Sequence, residues 1–222
     1  SGALVLSGSS SYGGGTTLSG GWIELGSANA LGASGTIAFG GGGLRASANN
    51  TLDYSARFST ALGQTYSLDT NGQSVTWATA LAAGTSALSK AGAGTLALTS
   101  FNTYTGPTTI SGGILQVGVG GTTGWISGAS PVSVSSGALI AFNRADSLVY
   151  GGTVSGAGGL TKAGNGTLTL SALQAYSGPT TISGGVLAFS GAGGLAAGGA
   201  LALTGSGASL DASGASGDMT FA

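Results

Sequence analysis

The stretch that decides the fold is Gly94–Val117, which reads GTLALTSFNTYTGPTTISGGILQV. A closely similar stretch, GTLTLSALQAYSGPTTISGGVLAF, occupies Gly166–Phe189, and a looser one, GALVLSGSSSYGGGTTLSGGWIEL, begins at Gly2. Internal repetition at this length is the signature of a stack of similar structural units. We therefore define three repeat motifs, at residues 2–26, 88–118 and 160–190.

The spacing of the copies indicates how the units stack. Leu88 and Leu160 differ by 72 in residue number, whereas Leu4 and Leu96 differ by 92. The difference between these two offsets, 20, fits one turn of a strand repeat, which takes roughly 20 to 24 residues. The two spacings therefore predict about three and about four turns, so that the first spacer has one extra turn.

Within the motif, the residue pattern favours strands over helices. Apolar and small residues alternate along Leu96–Leu98, which turns one face of the strand inward. After a turn at 104–107, the β-branched run Thr108–Ile110 predicts a second strand, and Ile114–Val117 resumes the alternation. Leu98 and Val117 differ by 19 in residue number, close to one turn, so we expect these side chains to lie one above the other.

The spacers carry similar short strand patterns, bracketed by turn residues. The alanine-rich segment 81–84 is also predicted as strand, because at the offset of 72 it falls on the strand-like segment 153–156. The remaining predicted strands are Thr36–Phe39, Ser74–Trp77, Val132–Val134, Ile140–Phe142 and Leu201–Leu203.

Composition excludes several classes of protein. The 222 residues include 47 glycines without a Gly-X-Y period, which excludes collagen, and the 41% hydrophobic fraction favours a folded solenoid over a flexible linker. A net charge of −1, from five basic and six acidic residues, leaves no basic stripe, so no nucleic-acid partner is expected. The sequence has no cysteine, and therefore neither a disulfide framework nor a thiolate metal site.

The motif resembles a known family. The passages LSKAGAGTLALT, beginning at Leu88, and NTYTGPTTISGGILQV, beginning at Asn102, resemble the autotransporter-associated β-strand repeat of passenger regions in Gram-negative type V secretion. Leu160–Phe189 matches equally well, whereas the first copy has Gly15 where the others have proline. The resemblance implies an all-β fold, a right-handed parallel β-helix of about ten coils, each made of three short strands.

The resemblance also implies partners and a location. Such passengers have a signal peptide upstream and an outer-membrane translocator barrel downstream, and neither is recognised in residues 1–222. We therefore expect a single β-helix segment from a larger passenger, located outside the cell or on the bacterial surface. Its expected partner is the protein's own C-terminal translocator barrel.

A β-helix places physical limits on its core and corners. Its narrow axial core is expected to hold little beyond Val, Ile, Leu and Phe, because a charge placed there would be unpaired and costly. Pro107 and Pro179 are expected at turns or strand starts, where no ladder hydrogen bond is lost.

The search for catalytic and metal-binding groups predicts neither an enzyme nor a cofactor. The chain has no histidine, so a serine nucleophile would need Lys90 or Lys162 as its base, and both are interpreted as turn lysines because they recur beside Gly92 and Gly164. No calcium-binding nonapeptide or phosphate-binding loop is present in the sequence. The acidic residues are scattered, although stacking of coils leaves open that distant carboxylates meet: Glu24, Asp53, Asp69, Asp146, Asp211 and Asp218.

Aromatic residues are the best remaining sign of a binding surface. Six of them are candidates for contact with sugars or proteins, with core or inter-coil packing as the favoured alternative for each isolated tryptophan: Trp22, Trp77, Trp125, Tyr54, Tyr66 and Tyr150. Tyr12, Tyr104 and Tyr176 instead recur at one repeat position, which favours a structural role.

These observations favour a structural stalk that displays a functional region and supports vectorial folding during secretion. Two alternatives remain open. In the first, the rod is an adhesin that binds host glycans or proteins, or identical rods. In the second, it supports a protease or esterase domain elsewhere in the passenger. Exposed strand edges at the ends of a β-helix also predict end-to-end self-association.

Overall fold

The computed structural model of the protein describes residues 2–81, 84–196 and 199–216. Its elements are 25 strands and one 3₁₀ turn, Ser55–Arg57. In chain order the strands are β1 (Ala3–Leu6), β2 (Thr16–Leu18), β3 (Trp22–Leu25), β4 (Ile37–Phe39), β5 (Gly43–Arg45), β6 (Thr65–Asp69), β7 (Ser74–Trp77), β8 (Ala87–Ala91), β9 (Thr95–Leu98), β10 (Phe101–Asn102), β11 (Thr108–Ile110), β12 (Ile114–Val117), β13 (Trp125–Ile126), β14 (Val132–Val134), β15 (Leu139–Asn143), β16 (Leu148–Tyr150), β17 (Val154–Gly156), β18 (Gly159–Ala163), β19 (Thr167–Leu170), β20 (Leu173–Tyr176), β21 (Thr180–Ile182), β22 (Val186–Gly191), β23 (Gly194–Leu195), β24 (Leu201–Leu203) and β25 (Ser209–Ala215).

The strands form parallel sheets that run along the faces of a rod. The first face is a ten-stranded sheet in the order β1-β3-β5-β6-β8-β11-β14-β17-β20-β23, with one strand from each coil. The second face has seven strands, β7-β9-β12-β15-β18-β21-β24. The third face consists of the pair β10-β13 and the four-stranded sheet β16-β19-β22-β25, and β2 pairs with β4 in the early coils.

The all-β parallel solenoid of about ten coils that the sequence predicted is thus confirmed, and its right-handedness stays a prediction. Val117 pairs with Leu98 across neighbouring coils, as their spacing in the sequence predicted. The longest of the register steps on the first two faces leads from Ile114 to Leu139, an offset of 25 in residue number. Insertions are therefore tolerated between strands, while the strands themselves stay in register.

The three repeat motifs do not lie above one another. The strand at the start of each motif is β1 on the first face, β9 on the second and β19 on the third. At three strands a turn, β1 and β9 are four and a third turns apart, and β9 and β19 are three and a third. The predicted whole numbers of turns were therefore each one third of a turn too small, although the extra turn in the first spacer is confirmed.

The spacer strands follow the sequence prediction closely. Each predicted segment forms a strand with boundaries within one residue: β4, β7, β14, β15 and β24. The segments 81–84 and 153–156 were matched at the offset of 72. In the second of them Val154–Gly156 forms β17, whereas residues 82 and 83 of the first lie outside the described part of the chain. Pro107 and Pro179 each stand directly before a strand, β11 and β21, as predicted. No helix within the described ranges is long and apolar enough to span a membrane.

The core is a single column of apolar side chains along the axis. Repeat-equivalent leucines show where it is closed: Leu96 is fully buried and Leu168 is 1% exposed, whereas Leu4, in the first described coil, is 59% exposed. The aromatic residues Phe39, Phe58 and Tyr66 thicken the column in the early coils through ring contacts of 5.0 to 5.8 Å.

Two lysines in this column correct the prediction of a charge-free core. Lys90 and Lys162 lie within strands β8 and β18, not in turns, and both are almost completely buried. Lys90 Nζ donates hydrogen bonds to the carbonyl oxygens of Ala91, Gly92 and Gly112 at 2.9, 2.8 and 2.9 Å. Three acceptors satisfy the three ammonium hydrogens, which offsets part of the cost of removing water from around the charge.

Lys162 makes the same arrangement one repeat later. Its Nζ donates to the carbonyl oxygens of Ala163, Gly164 and Gly184 at 2.7, 2.9 and 3.0 Å. In both cases the third acceptor belongs to the next coil. Each lysine therefore ties the turn that follows its own strand to the equivalent turn one coil further along.

The three arginines also connect coils. Each guanidinium donates hydrogen bonds to a group in a neighbouring coil: Arg45 to the Asp69 carboxylate, Arg57 to carbonyl oxygens within residues 31–35, and Arg144 to the carbonyl oxygens of Thr122 and Gly124. All five cations of the sequence thus serve contacts between coils.

The recurring tyrosines have a common hydrogen bond, in agreement with their predicted structural role. Tyr104 Oη lies 2.7 Å from Thr108 Oγ1, and Tyr176 Oη lies 2.6 Å from Thr180 Oγ1. Tyr12 and Thr16 make the same pair at 2.9 Å on the surface. The Tyr-x-x-x-Thr spacing of the motif therefore secures the turn before the strand that contains the threonine, which is β2, β11 or β21.

The buried ammonium predicts a stability effect at neutral pH. Lys90→Met keeps much of the side-chain volume but leaves three carbonyl oxygens without their donor, and we expect it to lower the free energy of unfolding by about 2 kcal/mol. Urea unfolding followed by circular dichroism measures the loss. Thr109→Met, at an exposed position of the adjacent coil, is the control and should cost less than about 0.5 kcal/mol. Equal midpoints for the two variants would contradict this role.

The same lysine predicts a dependence on pH. Burial lowers the pKa of Lys90 from 10.5 to about 8, against a smaller opposing effect of Asp69. Between these values the unfolded chain keeps the proton that the folded chain has released, so the free energy of unfolding rises with pH. From pH 7.5 to 9.5 the wild type should gain about 2 kcal/mol relative to Lys90→Met. If the difference in the free energy of unfolding between the wild type and Lys90→Met stayed constant across this pH range, the lowered pKa of Lys90 would be refuted.

Candidate functional site: an aromatic cleft on the third face

The structure separates the six aromatic candidates into core and surface residues. Four of them are buried and pack in the core, so their predicted availability for ligands is wrong: Trp77, Tyr54, Tyr66 and Tyr150. Trp22 and Trp125 are half-buried. Core or inter-coil packing, the favoured alternative for each tryptophan, is confirmed for Trp77 in the core and for Trp125, which packs on Phe101 of the neighbouring coil.

Trp125 belongs to an aromatic pair that the sequence analysis did not identify. Phe101 is 61% exposed and pairs with Trp125 in the β10-β13 ladder. The two rings are stacked, with centroids 4.2 Å apart and planes 10° from parallel. The two positions are far apart in the sequence, so the pair is visible only once the register of neighbouring coils is known.

This pair lies where the ladder of the third face is interrupted. β13 pairs with β10, and β16 pairs with β19, but the described residues show no pairing between β13 and β16. A cleft of about 390 Å³ opens at this place, lined by Phe101 and Trp125 and, from the next coil, by Leu148. Unpaired strand edges leave backbone N–H and C=O groups free to bond to something other than a neighbouring strand.

A long loop, 118–124, leads into β13 at this interruption. This whole loop connects β12 to β13, whereas only Thr99 and Ser100 connect β9 to β10 in the coil before. Gly118 and Gly124 have positive φ values of 80° and 96°, which are unfavourable for residues with a Cβ. A Cβ on Gly124 would also lie 2.3 Å from the backbone nitrogen of Gly118. The close approach of the two ends of this loop therefore requires glycine.

Arg144 fixes the loop to the wall of the cleft. Its guanidinium donates to the carbonyl oxygens of Thr122 and Gly124 in the loop, and binds Asp146 through Nε and Nη2 at 2.8 and 2.7 Å. Hydrogen bonds from Arg144 lower the pKa of the Asp146 carboxyl below its usual value. The positive charge beside the cleft is therefore compensated by a carboxylate that stays ionised at neutral pH.

The buried side chain of Asn102 connects β10 and β13, the strands that carry Phe101 and Trp125. It is 1% exposed, and its Nδ2 donates to the carbonyl oxygen of Trp125 at 2.9 Å and to that of Ser100 at 3.0 Å. Its Oδ1 accepts from the backbone N–H of Leu81 in the preceding coil at 2.9 Å. Gln174, at the equivalent position of the next motif, is likewise buried and bonded between coils. Asn102 thus fixes the position of Phe101 relative to Trp125.

Polar side chains complete the rim of the cleft. Four hydroxyl groups line it, from Thr99, Ser100, Thr122 and Thr123. None of these hydroxyls is hydrogen-bonded to another group in the part of the chain that the structure describes. The cleft therefore combines a stacked aromatic pair with hydroxyl groups that are available to a ligand.

The other candidate groups are engaged in structural contacts. Stacking brings two carboxylates to one cation, because Arg45 lies 2.8 Å from Asp69 and 3.8 Å from Glu24. Asp69 also accepts a bond from the backbone N–H of Asn71, and Asp211 accepts one from the backbone N–H of Ser213. Asp218 lies outside the described residues. Within the described ranges, no three acidic side chains come together as metal ligands.

Comparisons with known proteins agree with the geometry. A family described as passenger-associated-transport-repeat matches residues 1–25, 88–117 and 160–189, within one residue of the motifs defined above. The chain is 42% identical over 162 residues, or 72% of its length, to a protein named adhesin BmaC autotransporter from Brucella suis biovar 1 (strain 1330), of which it spans 4%. No solved structure matches the chain. The protein thus carries three of the repeats that characterise autotransporter passenger regions.

Proposed function

We propose that this segment is a β-helical stalk of a Gram-negative autotransporter passenger, which holds a functional region away from the outer membrane at the cell surface. The observation that supports this role is the ten-stranded parallel sheet, which continues without interruption from β1 to β23. Nine steps of about 4.8 Å give a rod of about 43 Å along this face. Continuous pairing and the ties between coils make such a rod stiff.

The repeats themselves contribute to the stalk and not to a repeated binding stripe. Because each copy lies one third of a turn further around the axis, equivalent residues face three different directions. A ligand that runs along one face would meet only one copy. What the copies share is the leucine pair, which is buried in the second and third copies, and the Tyr-x-x-x-Thr hydrogen bond, both of which serve packing.

A non-enzymatic role for the segment is part of the proposal. A serine nucleophile would need a lysine base, and Nζ of both Lys90 and Lys162 donates all three hydrogens to backbone carbonyl oxygens inside the rod. The partner required by this role is the translocator barrel of the full-length protein, to which the passenger is attached during export.

Secretion gives the stalk a second task. Each strand pairs only with strands of the coils before and after it, so a coil that leaves the cell can fold on the coil already outside. Local pairing of this kind avoids the entropy cost of long-range contacts. We infer that vectorial folding of the stalk supports export of the passenger.

An adhesive function is the second candidate, and the Phe101–Trp125 cleft is the observation that favours it. The pair leaves Phe101 61% exposed beside free hydroxyls, in contrast to the buried aromatic residues of the core. The relative that shares 42% identity is itself named an adhesin. In this second candidate function, the cleft makes the contact with another surface, and the rest of the rod remains a stalk.

The stalk proposal predicts how export responds to a fault in the core. In the full-length passenger, Leu96→Asp places an unpaired carboxylate in the axial column, where it is costly, and should lower surface display several-fold. Protease shaving and antibody labelling of intact cells measure display. Thr109→Asp, on the exposed side of a strand in the next coil, should leave it unchanged. Wild-type display of Leu96→Asp would show that folding of the rod does not support export.

A further inference from the structure

We propose that the cleft at Phe101 and Trp125 binds an uncharged pyranose ring of an oligosaccharide. The inference rests on the adhesive function proposed above and names the chemical class of its ligand. It depends on three properties of the cleft: its aromatic surface, its free hydrogen-bonding groups and its compensated charge.

The aromatic surface fits the apolar side of a sugar. A pyranose presents ring C–H groups on one side, while its hydroxyls point outward around the ring. Phe101 and Trp125 form a rigid stacked unit, because the rings lie 4.2 Å apart and their strands are tied by Asn102. A preformed surface of this kind orders few side chains on binding, and so retains more of the contact energy. Phe101 stays 61% exposed although it is large and apolar, which leaves its surface available to a ligand.

The hydrogen-bonding groups fit the polar edge of a sugar. Four hydroxyls surround the aromatic pair and are unbonded within the described chain, and each can both donate and accept, like the hydroxyls of a sugar. Beside them, β13 and β16 are not paired with each other in the described part of the chain. Binding sites for small polar molecules combine these two elements, a flat apolar contact and a few convergent polar groups.

The charge distribution favours a neutral ligand. Among the residues that the structure describes, Arg144 is the one cation on the lining, and its guanidinium is committed to Asp146 and to two carbonyl oxygens of the loop. An anionic sugar would have to compete with the Asp146 carboxylate for this arginine. A neutral sugar meets a site whose charges are already paired and needs no further compensation.

Binding of defined sugars to the purified chain tests the inference. The probes are lactose, maltotriose, cellotriose and triacetylchitotriose, with 3′-sialyllactose as the anionic comparison, and binding is measured by calorimetry and by saturation-transfer NMR. We expect saturable binding of at least one neutral probe, weakened about tenfold by Phe101→Ala and by Trp125→Ala. Trp125→Phe should retain most of the affinity, because it preserves a stacked ring. Unchanged circular dichroism and urea midpoints establish that the variants are folded.

Val149→Ala is the matched control, since Val149 is 61% exposed on the third face but does not line the cleft. It should bind as the wild type does. Absence of saturable binding by every neutral probe would overturn the inference, and so would binding that Phe101→Ala leaves unchanged. A preference for 3′-sialyllactose would overturn the assignment of a neutral ligand. Concentration-dependent association of the wild type that Phe101→Ala abolishes, without sugar binding, would identify a second copy as the occupant and also overturn it.

Adhesion of cells that display the full-length passenger separates this inference from the adhesive function. If Phe101→Ala abolishes adhesion but no sugar binds to the chain, the cleft is adhesive and the proposed ligand class is wrong. If sugar binds to the chain and adhesion is unaffected by Phe101→Ala, the ligand class stands and the adhesive function fails. Loss of both in Phe101→Ala, with neither lost in Val149→Ala, is the result that we expect.

Discussion

Parallel backbone pairing between successive coils is the constraint on which the rest of this structure depends. Every strand of the rod must stay in register with the coil before it and the coil after it, so one residue of each coil stands in the same row along the axis. Side-chain choice then follows from the row: a row that points inward is apolar, and a row that points outward is free to vary. Extra residues enter only between strands, as the loop 118–124 before β13 does.

Polar side chains in this rod are used to join coils. Lys90, Asn102 and their counterparts one repeat later are buried, and each of them bonds to backbone groups of another coil. These residues add directional bonds to a stack that apolar contacts alone would leave free to slip, because a column of similar leucines specifies register weakly. The few charges of the sequence therefore have a structural explanation. At the cleft, in contrast, Arg144 fixes a surface loop beside an aromatic pair and free hydroxyl groups.

The sequence was sufficient for the fold because alternation and turn residues mark each strand directly. The sequence also carries a signal for the buried lysine: Lys90 has the same parity as the inward Leu88 in β8, and therefore points inward too. The rotation of the motifs was not predictable, because the short step from Leu98 to Val117 and the longer step from Ile114 to Leu139 carry the same strand pattern. For the same reason the stacking of Phe101 on Trp125 could not be predicted. The segment 54–64 lacks alternation, and the structure forms a 3₁₀ turn there instead of a strand.

The central claim is the parallel row of one residue per coil, and distances along one row test it most directly. On the first face, Ser67, Ser89, Thr109, Ser133, Ser155 and Ala175 form such a row. The chain has no native cysteine, so spin labels can be attached to introduced ones. Pulsed electron paramagnetic resonance should give about 24 Å between labels at Ser67→Cys and Ala175→Cys, five steps apart, and about 14 Å between Thr109→Cys and Ala175→Cys, three steps apart. Equal distances for the two pairs, or a longer distance for the second pair, would contradict the stacked-coil architecture.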